Sequence, residues 1–364
     1  MIPYTDAMHE ALDRLDGLGP EIGEADFVNH GPMAAEALAA LGHGAEVGTW
    51  VQTWRASRPF HQAPPVTFDL DGDDETSWRP ALGDRNKLGD WEGLFHRELT
   101  EAPWQDVLAR WWPRLLPGLF TRVTHGLIRT AHAVRSLAST TGTGQTQLTE
   151  LARALAMWAS RFTALPGTAQ LTGNSDVATA VAALPRTWLE PDDRTPWTDA
   201  TRDRLQHPDA LPGYLPALSA LHTGDPHRLI TEMTTEFAGI YQAHPEVMPI
   251  PLVHAVTAPA AVRLVLPHLP ADHHPATVEA LWQANVAMLL AFTIDRRGED
   301  TALNTAIDSD PPPFDELIAR AVEHGDDHVI KFTEAAAREH ALRPDPRYPA
   351  AVHAAQQRIP RLNR

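Results

Sequence analysis

The chain has 364 residues, a formal net charge of −17 at pH 7, and 43% hydrophobic and 21% charged residues. Its length suffices for one large or two ordinary domains with a buried core, and its charge disfavours nucleic acid or an anionic membrane as a partner. Cysteine is absent, which excludes disulfides, thiolate metal ligands and cysteine nucleophiles. The charged, amphipathic N-terminal sequence and the lack of a run of 18 apolar residues predict a soluble cytoplasmic protein without a signal peptide or membrane span.

Apolar residues recur at helical spacing along most of the chain. The first clear helix is predicted over His30–Leu41, with Pro32 in its first turn and Gly42 just after its end. The other predicted amphipathic helices are Trp104–Trp112, Leu115–Leu137, Gln147–Phe162, Leu229–Gln242, Leu252–Leu266, Ala276–Phe292, Phe314–His324 and Asp326–His340. No alternating run typical of a strand lies between turn sequences, so the pattern predicts an all-α, bundle-like protein.

Two stretches rich in proline, glycine or aspartate interrupt the helical pattern. Arg58–Asp90 is predicted to be a long loop or lid, and Leu184–Pro216 is a candidate linker between two helical halves that enclose a central site. No period of 20 to 50 residues repeats, which disfavours a solenoid. We therefore expect residues 1–364 to form a single helical domain with an internal linker at about 184–216.

The common cofactor motifs are missing from the sequence. There is no P-loop, no complete dinucleotide-binding fingerprint and no HExxH motif, and no glutamate stands three residues before a histidine. These absences remove the usual sequence signals for nucleotide-dependent enzymes, zinc metalloproteases and di-iron helical bundles. The chemistry has to be sought in other residues.

Histidines on apolar helices are the most informative residues, and the first group lies in the segment VTHGLIRTAHAVRSL. His125, Arg129 and His132 stand at i, i+4 and i+7, so they share one face of a predicted helix whose neighbouring positions are apolar. Burying two imidazoles and a guanidinium without partners would cost several kcal/mol. Either carboxylates from other helices satisfy these groups, or a metal or an anionic ligand does.

Three further segments place polar groups in apolar or helix-start positions. His254 lies in an apolar helix, where a histidine is either a core residue bonded to a carbonyl or a functional group, and His30 opens its helix as a cap or a ligand. His328 and Lys331 face the same side of a helix at i and i+3. Lys331 is one of only two lysines.

Two interpretations of Lys331 are open from its sequence. It is either a surface lysine paired with Asp327 or Glu334, or a buried lysine whose lowered pKa yields a nucleophilic amine. Such an amine can act as a base, form a Schiff base or take up carbon dioxide as a carbamate. A carbamate is an oxygen ligand, and several neutral imidazoles with one oxygen ligand suit iron(II), manganese or zinc. The residues thus predict a mononuclear metal site in an all-α enzyme.

Several sequence blocks together resemble the questin oxidase-like family. They include NHGPMAAEAL, the tryptophan-rich PW–VL–WWPRLLPG, THGLIRTAHAVR, HAVT and DDHVIKFTEA, and the resemblance extends from about Ala7 to Ala337. The family contains the fungal questin oxidases and the Baeyer–Villiger-type oxidase of the aflatoxin pathway. It implies an oxidoreductase, a mono- or dioxygenase of secondary metabolism, that opens or lactonises a ring of an aromatic polyketide such as an anthraquinone.

The resemblance also implies a set of site residues and a cofactor. It implies a non-haem iron(II), which uses dioxygen, held by several histidines and a carboxylated lysine. His132 either replaces His125 as a ligand or supports the ligands, and Arg129 would lie near a phenolate or a developing oxyanion. Carried over by motif, the metal ligands are His30, His125, His254, His328 and Lys331.

Two other classes of function stay open at this point. In a metal-free or NADPH-assisted Baeyer–Villiger-type oxidase, Arg129 and His132 would be the catalytic acid–base groups and Lys331 would stay cationic. A non-catalytic helical ligand-binding protein would use the same pocket without chemistry. A flat polycyclic substrate also calls for an aromatic lining, and the candidates, which core packing would explain equally well, are Phe95, Trp104, Trp111 and Trp112.

Overall fold

A computed structural model describes residues 2–23, 27–57, 59–62, 64–140, 144–186, 204–293 and 295–362 of the chain. The described residues are predominantly helical with one small sheet, which confirms the all-α prediction. They divide into two compact units. The first unit comprises Met1–Ala164, Leu264–Pro270 and Leu362–Arg364, and the second comprises Leu165–Arg263 and Ala271–Arg361.

The first unit contains eight of the described α-helices, in addition to short 3₁₀ helices. In chain order they are α1 (Tyr4–Arg14), α2 (Gly31–Ala40), α3 (Gly44–Ala56), α4 (Glu75–Trp78), α5 (Leu88–Glu101), α6 (Trp104–Leu115), α7 (Thr121–Ala138) and α8 (Gln145–Ser160). The predicted helix over His30–Leu41 is observed as α2, with Pro32 in its first turn. Proline is tolerated there because the first N–H groups of a helix have no intrahelical partner.

A three-stranded antiparallel sheet in the first unit was not expected from the sequence. Its strands are β1 (Leu18–Ile22), β2 (Phe27–Val28) and β3 (Phe60–Gln62), in the order β2-β1-β3. Strands of five, two and three residues are too short for an alternating pattern to be recognised. The segment Arg58–Asp90, predicted as a loop or lid, contains β3 and α4 and also includes the start of α5.

Aromatic side chains form much of the core of the first unit. The Trp111 ring meets the rings of Trp91 and Phe95 edge to face, at centroid distances of 5.5 and 5.1 Å. Phe95, Trp111 and Trp112 are completely buried, whereas Trp104 is partly exposed and lies 5.1 Å from the His268 ring. This packing agrees with a core role for the three buried residues, the alternative to a substrate lining.

Nine further α-helices with described bounds belong to the second unit, in addition to short 3₁₀ helices. They are α9 (Val177–Ala183), α10 (Tyr214–Ala217), α11 (Pro226–Ala243), α12 (Pro249–Val265), α13 (His274–Phe292), α14 (Ala302–Asp308), α15 (Phe314–His324), α16 (Asp327–Leu342) and α17 (Arg347–Arg358). The predicted helix over Phe314–His324 is observed with the same bounds, and the one over Asp326–His340 is observed as α16 with Asp326 as its N-cap.

The predicted linker over Leu184–Pro216 lies largely outside the described residues, since 187–203 are not described. The chain first passes from the first unit to the second between Ala164 and Leu165, before the predicted linker begins. The single-domain organisation with an internal linker therefore stays a prediction.

One helical stretch, Pro249–His268, is long and apolar enough by length and composition to cross a membrane. In its most apolar window, 78% of the residues are buried within the described structure. Core helices have the same composition as membrane spans, so this stretch is weak evidence for a membrane segment.

A buried histidine in the second unit is held between two carboxylates. His244 is completely buried, with Nδ1 at 2.8 Å from Glu246 Oε1 and Nε2 at 2.7 Å from Glu299 Oε1. Arg186 also donates to Glu299, at 2.7 Å to Oε2. Burial alone would lower the pKa of His244, but the hydrogen bonds and charges of Glu299 and Glu246 outweigh it and raise this pKa.

The raised pKa of His244 predicts a pH dependence of stability. The ion pairs stabilise fully below the pKa of His244 in the unfolded chain, about 6.5, and this contribution is lost as pH rises through the higher folded-state pKa. The unfolding free energy is to be measured by urea titration at about pH 6 and about pH 8.5. Its decrease over this range should be smaller in His244→Gln than in the unchanged protein. His324→Gln is the control, because burial lowers the pKa of His324 and its contribution has the opposite sign. An unchanged pH dependence in His244→Gln would contradict the prediction.

Candidate metal centre

The NHGP sequence places His30 at the start of α2 in the first unit. The side-chain amide of Asn29 donates to the Gly19 carbonyl at 2.9 Å and accepts from the Gly31 N–H at 3.1 Å. His30 is the N-cap residue, but its side chain makes no capping hydrogen bond. Since Asn29 supplies the local contacts, the buried imidazole of His30 can take part in other interactions.

His125 follows a left-handed turn within α7. Arg122, Val123 and Thr124 have φ values of 51°, 56° and 65°, so regular helix begins only at His125. Nδ1 of His125 donates a hydrogen bond to the carbonyl oxygen of Arg122. This bond assigns the ring hydrogen to Nδ1 and leaves a lone pair on Nε2, the form that binds a metal.

The left-handed turn predicts an unusual effect of glycine. A left-handed conformation costs an L-residue roughly 1–2 kcal/mol, and glycine avoids this cost but loses more entropy on folding. We expect Val123→Gly to raise the unfolding free energy by up to about 1 kcal/mol, as measured by urea titration. Ala131→Gly, in the right-handed part of α7, should lower it by about 1 kcal/mol. Equal destabilisation by both variants would contradict a strained turn at Val123.

The imidazoles of His30 and His125 meet inside the first unit. Their Nε2 atoms are 2.6 Å apart, and the ring planes make an angle of 70° with centroids 4.6 Å apart. Because the hydrogen of His125 lies on Nδ1, its Nε2 contributes a lone pair to this contact. The pair therefore either shares a hydrogen of His30 or provides two nitrogens for one cation.

In the second unit, His254 shows the same use of Nδ1. This atom donates to the carbonyl oxygen of Ile250, one turn earlier in α12, at 3.0 Å, which leaves the lone pair on Nε2. The ring of His254 meets that of His328 nearly perpendicularly, at 81° and a centroid distance of 5.7 Å. The second unit thus also brings together two predicted ligands.

His328 begins α16 beside two aspartates. Asp326 caps the helix by accepting from the N–H groups of His328 and Val329 at 2.9 and 3.2 Å. Nδ1 of His328 lies 2.8 Å from Oδ1 of the buried Asp327. Burial disfavours the imidazolium, but the charge of Asp327 and the proximity of Asp326 raise the pKa of His328. Asp326, Asp327 and His328 each offer one atom that could bind a metal, and these three atoms lie within 4.8 Å of one another.

Lys331 is buried, with 2% of its surface exposed. Among the described residues, no hydrogen bond or ion pair to its ammonium is found within the distance limits of such contacts. Burial lowers the pKa of Lys331 to about 8, although Asp327 and Asp326 oppose this shift. The structure therefore favours the buried alternative of the two interpretations of Lys331.

His132 and Arg129 each contact a buried carboxylate of the first unit. Nδ1 of His132 lies 2.5 Å from Glu36 Oε2, and Arg129 donates to the two oxygens of Glu150 at 2.7 and 2.9 Å. Burial would lower the pKa of Arg129, but the charge of Glu150 keeps it above its usual range. Carboxylates thus satisfy both groups, and the contact with His30 singles out His125, rather than His132, as the candidate ligand.

Sequence reasoning missed Glu36 and Glu150 as the partners of this helix face. Glu36 is the only charged residue of the apolar helix α2, GPMAAEALAA, and it is 1% exposed. A single carboxylate in such a helix must be paired if it is buried, so this signal was available. Glu150 lies on the amphipathic α8, where the sequence offers no comparable signal.

A cavity of about 410 Å³ in the first unit adjoins the Arg129–Glu150 pair. It is within the size range of about 300–1,000 Å³ that holds drug-sized ligands. Its lining includes Asn29 and Pro32, which flank His30 closely in sequence, and Arg153. Its lining combines charged and polar side chains with three leucines, Leu12, Leu15 and Leu18, the mixed character of a small-molecule site.

The family model described as questin oxidase-like matches residues 27–336 of the chain. The chain therefore belongs to the questin oxidase-like family, which confirms the resemblance seen in its motifs. Membership indicates an oxidase of polyketide metabolism and hence an oxidoreductase. No curated protein matches the chain.

Proposed function

We propose that the protein is a non-haem iron(II)-dependent oxygenase that oxidatively cleaves or lactonises a ring of an anthraquinone-like aromatic polyketide. The observation that carries the proposal is the position of the ring hydrogen in two of the predicted ligands. In His125 and His254, Nδ1 donates its hydrogen to a backbone carbonyl, so Nε2 has a lone pair that can bind a metal. The proposed ligands are His30, His125, His254, His328 and Lys331.

The donor set fits a divalent first-row metal. Imidazole nitrogens suit iron, zinc, copper and nickel, and an added oxygen ligand shifts the preference towards iron or manganese. The aspartate beside Nδ1 of His328 is the kind of partner that orients a metal-ligating histidine. Thus both the imidazole ligands and the aspartate that contacts one of them agree with an iron centre.

Lys331 would supply the oxygen ligand as a carbamate. In that reaction the neutral amine adds to carbon dioxide, a C–N bond forms, and one proton is released to solvent. A lysine with a pKa of about 8 has a substantial neutral fraction near neutral pH, unlike an ordinary lysine. The product is an anion, which would offset the positive charge of the metal in this buried position.

An iron(II) ion so bound would supply dioxygen binding and electron transfer. The protein's own groups would hold and orient the substrate, and the cavity beside Asn29 and Arg129 is the candidate place for it. Arg129, held charged by Glu150, can donate hydrogen bonds to a phenolate but is a poor proton donor. An electron-rich ring can provide the electrons for dioxygen, so the proposal requires no NADPH.

Elemental analysis of protein purified without a metal-binding tag tests the proposal. We expect about one iron per chain, lost in Lys331→Ala and retained in Lys87→Ala. Lys87 is the matched control because it is the only other lysine, and it is paired with Asp90 at 3.0 Å. The absence of metal even after anaerobic reconstitution with iron would overturn the ligand assignment and favour the metal-free oxidase or the binding protein.

The carbamate can be tested separately from the metal by NMR. Because the chain has only two lysines, a carbamate signal is easily assigned. After incubation with ¹³C-bicarbonate, we expect one carbamate carbon signal in the NMR spectrum of the iron-free protein reconstituted with zinc. The signal should vanish in Lys331→Ala and persist in Lys87→Ala. A signal that persists in Lys331→Ala, or the lack of any signal, would contradict carboxylation of Lys331.

A further inference from the structure

One buried glutamate in the first unit joins the two helices that carry its histidines. Glu36 on α2 is 1% exposed. Its oxygens accept hydrogen bonds from two residues of α7, His132 Nδ1 at 2.5 Å and Arg135 Nε at 2.6 Å. The hydroxyl of Tyr4 donates to the same carboxylate. These contacts connect α2, which His30 opens, to α7, which carries His125.

The second unit repeats this arrangement with different residues. Glu339 on α16 is completely buried. Its carboxylate accepts from Arg263 on α12, at 3.0 and 3.1 Å from Nε and 2.9 Å from Nη2. These contacts connect α12, which carries His254, to α16, which carries His328. In each unit, a buried charge pair therefore bridges the two helices that provide the candidate ligands.

Neither glutamate is near enough along its helix to be a ligand. Glu36 follows His30 by six residues and Glu339 follows His328 by eleven, which at 1.5 Å per residue is about 9 and about 16 Å along the axis. A buried ion pair adds little net stability, because desolvation offsets most of its attraction. Such a pair can instead serve to align two helices, because a shifted alignment would leave a charge unpaired in the interior.

We infer that Glu36 and Glu339 are positioning residues, each of which holds the two ligand helices of its own unit in register, so that their histidine nitrogens stay oriented for metal binding. The part of this inference that concerns the metal rests on the proposed function. The part that concerns the alignment of the imidazoles does not. The two parts can be tested separately.

The test uses Glu36→Gln and Glu339→Gln, which keep the side-chain shape and remove the charge. The matched controls are Glu98→Gln in the first unit and Glu299→Gln in the second. Glu98 joins α5 to α6 by accepting from Trp111 Nε1 at 2.6 Å, and Glu299 accepts from Arg186 and His244. These pairs are buried too, but neither joins two helices that carry candidate ligands.

The first readout is the dissociation constant for iron(II), measured anaerobically by competition with a chelator. Residues that orient metal ligands typically contribute about 10–100-fold to affinity. We expect a loss of about this size in Glu36→Gln and Glu339→Gln, and a change below about threefold in the two controls. Equal losses of iron(II) affinity in all four variants would mean that the substitutions only destabilise the protein in general, and this result would overturn the inference.

The second readout uses the metal-free protein and the ¹⁵N NMR signals of the imidazoles. We expect Glu36→Gln to shift the signals of His30 and His125, and Glu339→Gln to shift those of His254 and His328, while each control leaves the same signals in place. If the shifts occur but the unchanged protein binds no iron, the alignment role stands and the proposed function fails. If these signals do not move, the positioning role is refuted whatever the metal content.

Discussion

Replacing His328 by alanine is expected to remove the bound iron and to lower turnover by more than about 100-fold, the upper range for residues that only support a metal ligand. His328 is one of four imidazoles in the proposed ligand set, and its Nδ1 lies beside the carboxylate of Asp327. The measurement is iron per chain by elemental analysis, together with oxygen consumption in the presence of a hydroxyanthraquinone.

His324→Ala is the control for His328→Ala. His324 is also buried in the second unit, but its Nε2 bonds to the Ile359 carbonyl at 3.0 Å. Its loss should cost stability and leave the iron in place. Iron that survives in His328→Ala would exclude this residue as a ligand. Retained binding of the hydroxyanthraquinone by a protein that never held metal would favour the ligand-binding alternative.

The second large effect is expected on stability, at the Arg129–Glu150 pair. Both side chains are buried, at 3% and 5% exposure, and two hydrogen bonds join them. Removing one partner of a buried pair leaves an uncompensated charge and costs about 3–5 kcal/mol. We expect Glu150→Ala to lower the unfolding free energy from urea titration by this amount.

Replacing both partners shows whether the loss of stability comes from the unpaired buried charge or from a packing defect. The double variant Arg129→Met/Glu150→Leu should recover most of the loss, because well-packed apolar residues often replace a buried ion pair at little cost. Glu10→Ala, which removes the exposed Arg14–Glu10 contact of 2.6 Å, should cost only about 0–1 kcal/mol. If the double variant is no more stable than Glu150→Ala, the pair does not owe its effect to the unpaired charge.

The helices were predictable because their apolar faces repeat in the sequence. Helix α15 is predicted and observed over Phe314–His324, since its apolar residues face the core and prolines precede it. The sheet was not predictable, because β2 consists of two residues and its pairing with β1 depends on contacts between distant parts of the chain. Local pattern carries too little information for such short strands.

The site was predictable to the extent that burial follows from an apolar setting. His125 and His254 stand among apolar residues and are buried as expected. Lys331, for which the sequence left a surface and a buried position open, is buried as well. The turn before His125 could not be foreseen, because its residues include a β-branched valine, which favours right-handed or extended backbone. None of its three residues, Arg122, Val123 and Thr124, is a glycine or an asparagine, the residues that usually mark a left-handed backbone.

The aromatic core has a spectroscopic consequence. The described tryptophans lie in the first unit with one exception, Trp282, which is buried in the second and donates to the Ala217 carbonyl at 2.7 Å. Replacing Trp282 by phenylalanine, together with Trp188 and Trp197, which lie outside the described residues, would leave tryptophans only in the first unit. Loss of fluorescence before loss of helical circular dichroism during denaturation would then reveal that the first unit melts ahead of the second.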